Sequence, residues 1–99
     1  MLTIDKTLEN GKAVFALAGR LDTLTAPELE KELKASLDGV SELLFDMEEL
    51  EYISSAGLRV LLSAQKIMNR QGEMRLCGVG ETSMEILDVT GFSDILTIV

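Results

Sequence analysis

The chain has no histidine and no tryptophan, one cysteine and one proline among 99 residues. Each absence removes a class of chemistry. Without histidine there is no Ser-His-Asp or Cys-His catalysis, no phosphohistidine carrier and no His-ligated zinc. One cysteine forms neither an internal disulfide nor a thiolate cluster and suits a reducing cytosol. Basic charge is also scarce: 9 Lys and Arg stand against 17 Asp and Glu, a net charge of −8. That balance argues against nucleic acid, whose phosphates need clustered cations, and against direct binding to an anionic membrane. No apolar run approaches the roughly 20 residues of a membrane span. The start, Met1 to Lys6, has no basic n-region or apolar h-region, so the expectation is a cytoplasmic protein. The length fits one domain over residues 1–99.

What is present is patterning. Leu2, Ile4 and Leu8 alternate with Thr3, Asp5, Thr7 and Glu9, as in a half-buried strand. Asn10-Gly11 is a strong hairpin signal, because both residues tolerate positive φ. The run Ala13–Ala18 reads as a returning strand, apolar on both faces and closed by Gly19. Thr25-Ala26-Pro27 opens a helix with a hydroxyl cap and an early proline. Leu29, Leu33 and Leu37 form its buried stripe, and Glu30 and Lys34 are a favourable i,i+4 pair.

Leu43-Leu44-Phe45 predicts a short buried strand ending at Asp46, followed by a turn rich in acids (Glu48, Glu49, Glu51). A second helix spans about Ala56 to Arg70. Leu58, Leu61, Leu62 and Met68 form its apolar face, and Arg59, Ser63, Lys66 and Arg70 its polar one. Met74–Val79 predicts a strand, Glu81–Thr90 a third helix stopped by Gly91, and Asp94–Val99 a last short strand. The order β-β-α-β-α-β-α-β implies a single small α/β domain with a mixed, mostly parallel sheet.

In such folds, sites gather at the carboxyl ends of strands and the amino ends of helices. Two junctions qualify: Gly19-Arg20-Leu21-Asp22 and Ser54-Ser55-Ala56-Gly57. A serine at a helix start has two readings. Its oxygen can cap free N–H groups, or its hydroxyl can be exposed so that a phosphate on it meets the helix's positive end. Hydrolytic chemistry is disfavoured: no base accompanies a serine, and Ser63 and Lys66 fall mid-helix on the wet face. Gly78-Val79-Gly80 is not followed by the Lys-Ser/Thr of a phosphate loop. Asp5, Asp22 and Asp46 are the candidate metal carboxylates, without the paired acidic cluster of a phospho-aspartate receiver. Cys77 reads as a small buried residue. No catalytic residue, cofactor or metal is expected, and the chain reads as a non-enzyme.

The stretch from Leu44 to Leu62, with Phe45-Asp46 at a strand end and Tyr52-Ile53-Ser54-Ser55-Ala56-Gly57-Leu58 leading into a helix, resembles the signature of the STAS domain, the fold of bacterial anti-sigma factor antagonists. Gly19-Arg20-Leu21-Asp22, Gly72–Val79 and Ile86–Phe92 resemble further parts of that family in the same order. The resemblance implies a phospho-switch. The unphosphorylated antagonist would bind an anti-sigma factor, which is a GHKL-type serine kinase, and phosphorylation would release it. A metal-dependent Ser/Thr phosphatase would reset it. Matching the motif places the acceptor on Ser55, with Ser54 as runner-up. It places partner contacts on Asp22, Ser54, Ser55, Ala56, Gly57 and Arg59. Two positions depart from the family pattern: Ser54 stands where the family has Asp, and Ala56 follows the acceptor. The alternative is a scaffold STAS subunit of a signalling or lipid-transport assembly, without a phosphorylation cycle. The acids of Asp46–Glu51 read as a surface beside Ser55 that steers toward a basic partner. Oligomeric state is left open.

Overall fold

A computed structural model describes residues 1–99. The first strand, β1 (Leu2–Glu9), pairs antiparallel with β2 (Lys12–Leu21) across Asn10 (φ 48°) and Gly11 (φ 78°). Both turn residues are left-handed, as this hairpin requires. Helix α1 (Ala26–Ser36) buries Leu29 and Leu33 and sets Glu30 beside Lys34 at 3.0 Å. Then come β3 (Glu42–Ile53), α2 (Ser55–Gln71), β4 (Glu73–Cys77) and α3 (Glu81–Thr90). The sheet order is β1-β2-β3-β4, with β3 and β4 parallel to β2.

Each crossover moves one strand further in the same direction. Because such crossovers are right-handed, α1 and α2 lie on one face of the sheet. Burial agrees: Ala13, Phe15, Leu17 and Leu21 of β2 are buried, while Val14, Ala16 and Ala18 between them are half-exposed. The strand is therefore buried on one face rather than both. A core of 24 apolar residues fills the covered side. At its centre Phe15 and Phe45 sit at matched register, ring centroids 5.8 Å apart.

Further sequence expectations are corrected. Gly19 does not close β2. It lies within the strand at φ +95°, and the Cβ it lacks would fall 2.2 Å from the Met1 carbonyl oxygen. That carbonyl accepts the Arg20 N–H at 3.0 Å, so the start of the chain is held against this bend.

The second correction is larger. The acidic segment after Asp46 is not a turn, because β3 runs through it to Ile53. The register with β2 slips twice, so β3 carries extra residues at two bulges. Buried positions consequently advance by two from Phe45 to Met47, then by three to Leu50 and to Ile53. Those steps hide the period-2 signature.

The third correction concerns the end of the chain. Phe92–Asp94 is a 3₁₀ turn, with the Ile95 and Leu96 N–H groups both donating to the Phe92 carbonyl. The chain then meets the sheet at a single parallel bridge, Ile98 to Leu76, where the Leu76 N–H donates to the Thr97 carbonyl and the Val99 N–H to the Leu76 carbonyl. Cys77, read as buried, is half-buried; desolvation and the nearby Asp46 and Glu48 charges push its thiol pKa up.

Candidate functional site

The ends of β2 and β3 meet the start of α2. Arg20 pairs with Tyr52 and Leu21 with Ile53, and the Ser54 N–H donates to the Leu21 carbonyl at 2.8 Å. This bond carries the strand pairing up to the first turn of the helix. Both sequence-selected junctions thus come together at one end of the sheet.

Asp22 organises its own loop. Its Oδ1 accepts the N–H groups of Leu24 at 3.0 Å and Thr25 at 3.1 Å. The Thr25 hydroxyl, expected to cap α1, instead donates to the Arg20 carbonyl at 2.7 Å and accepts from the Asp22 N–H at 2.9 Å. Desolvation pushes the Asp22 carboxyl up. The hydrogen bonds from Thr25 and Leu24, with the N-terminal ammonium, outweigh it and hold the pKa below the usual carboxylate value. Arg20 lies over the Tyr52 ring, 4.4 Å from its centroid, with Nε 3.7 Å from Asp22 Oδ2. Sequence reasoning missed Tyr52 and Arg20 as partners, since only the strand register puts them side by side.

The two serines divide the two readings between them. Ser54 is the N-cap of α2, and its Oγ accepts the Gly57 N–H at 3.3 Å. Ser55 is the first helical residue, exposed, and its hydroxyl makes no protein hydrogen bond. Ser54 half-buried and Ser55 exposed is the expected difference between a cap and a free hydroxyl. A cap needs only a side-chain oxygen, so serine in place of aspartate keeps the helix start intact.

Gly57, expected as a partner contact, is buried. A Cβ there would lie 2.7 Å from Leu21 Cγ and 3.1 Å from Ile53 Cγ1, so the missing side chain lets α2 sit directly on the strand ends. Ala56 is half-buried and Arg59 exposed; both line an open groove between α1 and α2 with Thr23, Pro27 and Glu30. Leu24 was not singled out, yet it is 85% exposed in the Asp22 loop. Its position outside the Leu29-Leu33-Leu37 spacing is the signal that marks it.

The acids lie on a strand rather than in a turn. The Glu48 backbone packs against Gly78 beyond the end of β4, and its N–H donates to Asp46 Oδ1 at 3.1 Å. Glu48, Glu49 and Glu51 are exposed residues of the strand that leads into Ser54 and Ser55, rather than of a loop. No three Cys, Asp or Glu side chains converge as metal ligands would. No helix is long and apolar enough to cross a membrane.

The STAS domain model matches residues 3–99. A Bordetella bronchiseptica protein provisionally named anti-sigma factor antagonist BtrV is 38% identical over 99 residues, covering 98% of this chain and 84% of its own length. The anti-sigma-B factor antagonist of Staphylococcus aureus is 28% identical, covering 96% and 90%. Among solved structures, an anti-sigma factor antagonist from Mycobacterium paratuberculosis superposes with a TM-score of 0.88 at 22% identity, over 99% of this chain and 85% of that one.

Proposed function

This chain belongs to the STAS domain family, and from that premise we propose that it is an anti-sigma factor antagonist that works by binding and is switched at Ser55. The relatives' names support the first part. One observation carries the second: Ser54 takes up the capping role and leaves the Ser55 hydroxyl exposed and free.

The unmodified chain binds an anti-sigma factor that is itself a GHKL-type serine kinase, in the cytoplasm, and so frees the sigma factor. The kinase transfers the γ-phosphoryl group of ATP to Ser55 Oγ. The O–Pγ bond to ADP breaks as the serine O–P bond forms, and the hydroxyl proton passes to a base of the kinase. The phosphate adds about −1.5 to −2 charges and three acceptor oxygens to a surface that had offered one neutral hydroxyl. A Ser/Thr phosphatase restores the hydroxyl by hydrolysis.

The rest of the site positions this surface. Asp22 and Thr25 shape the loop that presents Leu24, and Gly57 seats the helix. Leu24, Ala56 and Arg59 are the contact positions around the serine.

The test is to incubate the protein with ATP and an anti-sigma factor kinase that binds it, then locate phosphate by mass spectrometry. Phosphate on Ser55, together with release of the complex, is expected. Phosphate only on Ser54, or none, refutes the switch. A silent Ser55→Ala variant that stays in a stable assembly favours the scaffold reading instead.

A further inference from the structure

Alone among the three helices, α2 contains no carboxylate over its 17 residues, in a chain that carries 17 acids. Its cations are Arg59, Lys66 and Arg70, all exposed. Four of the chain's other cations, Lys6, Arg20, Lys34 and Arg75, lie within 4 Å of a carboxylate. None of the three on α2 does. Ser55, Arg59, Ser63, Lys66 and Arg70 follow one another at steps of four, four, three and four, so they form one outward face. At 1.5 Å per residue the cations span roughly 16 Å. Glu30 lines the groove with Arg59 and Ser63, and it is engaged by Lys34 at 3.0 Å.

We propose that this outward face of α2 is a docking strip for an acidic segment of a protein partner, running from Ser55 to Arg70. Charge complementarity selects the occupant. Unpaired cations on a helix without acids leave a local positive field on a molecule that is otherwise negative. Three cations are fewer than the phosphate contacts of a nucleic-acid site. The strip also exposes no Leu, Phe or Trp to enter a bilayer.

The inference deepens the antagonist reading and rests on it for the partner's role, because the strip begins at the switch serine. The face of α2 continuous with Ser55 is basic, and the partner segment that lies along it is acidic. A phosphate on Ser55 would stand four residues before Arg59, the favourable order for an ion pair, and would compete for the strip's first cation.

The test uses a synthetic peptide of three Glu-Glu-Leu-Glu repeats, titrated into ¹⁵N-labelled full-length protein. Amide shifts confined to Arg59, Ser63, Lys66, Arg70 and their helix neighbours are expected. Affinity should fall as salt rises and be roughly tenfold weaker in Arg59→Gln/Lys66→Gln/Arg70→Gln, the combined effect of three exposed ion pairs. Lys12→Gln/Lys31→Gln, which removes two cations elsewhere, should bind as wild type. Shifts that fall elsewhere or are absent, or equal affinity in the triple variant, overturn the proposal. So does equal binding of an oligothymidylate or of phosphatidylserine vesicles. No kinase enters this measurement. Failure to phosphorylate Ser55 with the strip shifts intact would therefore refute the switch and leave the strip standing.

Discussion

The Gly57 backbone N–H donates to Ser54 Oγ at 3.3 Å, and this bond separates the roles of two adjacent serines. Ser54→Ala should cost about 1 kcal/mol of stability, the usual value of an N-cap side chain. In a domain of this size that is a Tm fall of roughly 4–8 °C by calorimetry. Ser55→Ala should leave Tm within about 1 °C, since alanine suits a first helical turn, while abolishing phosphate incorporation by the kinase. Equal Tm losses in the two variants would contradict this division.

Gly57→Ala should destabilise through overpacking. The added methyl meets Leu21 and Ile53, both buried, and cores of this kind lose roughly 1–3 kcal/mol to an extra methyl. Denaturant unfolding measures the loss. Pairing it with Leu21→Ala should recover part of the glycine effect, because the second change vacates the space the methyl needs.

Asp22 makes the β2–α1 loop sensitive to acid. Its carboxyl is held below the ordinary value near 3.8 in the folded chain. The unfolded chain therefore binds the proton first as pH falls. The resulting stability is fully present above the ordinary carboxylate pKa and is lost as pH drops through the lower folded value. Unfolding midpoints measured from pH 6 down to pH 2 should converge for wild type and Asp22→Asn. A constant gap would show that the carboxylate charge plays no part.

Cys77 should react slowly. Burial and the charges of Asp46 and Glu48 raise its pKa above 9.0, so thiolate is scarce at neutral pH. Iodoacetamide should alkylate it more slowly than free cysteine at pH 7.5. Asp46→Asn should speed the reaction by removing one of those charges, while its remaining oxygen can still accept the Glu48 N–H. An unchanged rate would leave access alone as the cause.

Much of this protein is legible in one dimension. The Asn10-Gly11 hairpin, the Leu29-Leu33-Leu37 stripe and the helix from Glu81 to Gly91 depend on local conformational preference and on burying one face of a periodic element, and both properties reside in short stretches of chain. The motif around Ser54-Ser55 is equally local, and so was the exclusion of histidine and disulfide chemistry. Contacts between strands decided the rest. The length of β3 depends on two bulges set by its pairing with β2, which turned an apparent acidic loop into a half-buried strand. The approach of Arg20 to Tyr52 exists only through that same register. The choice between the serines also needed the helix itself, because a cap is defined by which oxygen reaches the Gly57 N–H. Sequence determined that a serine would stand at the head of α2 in an acidic chain. The fold decided which serine is free and set the acids in β3. The surface it left continuous with that serine is basic.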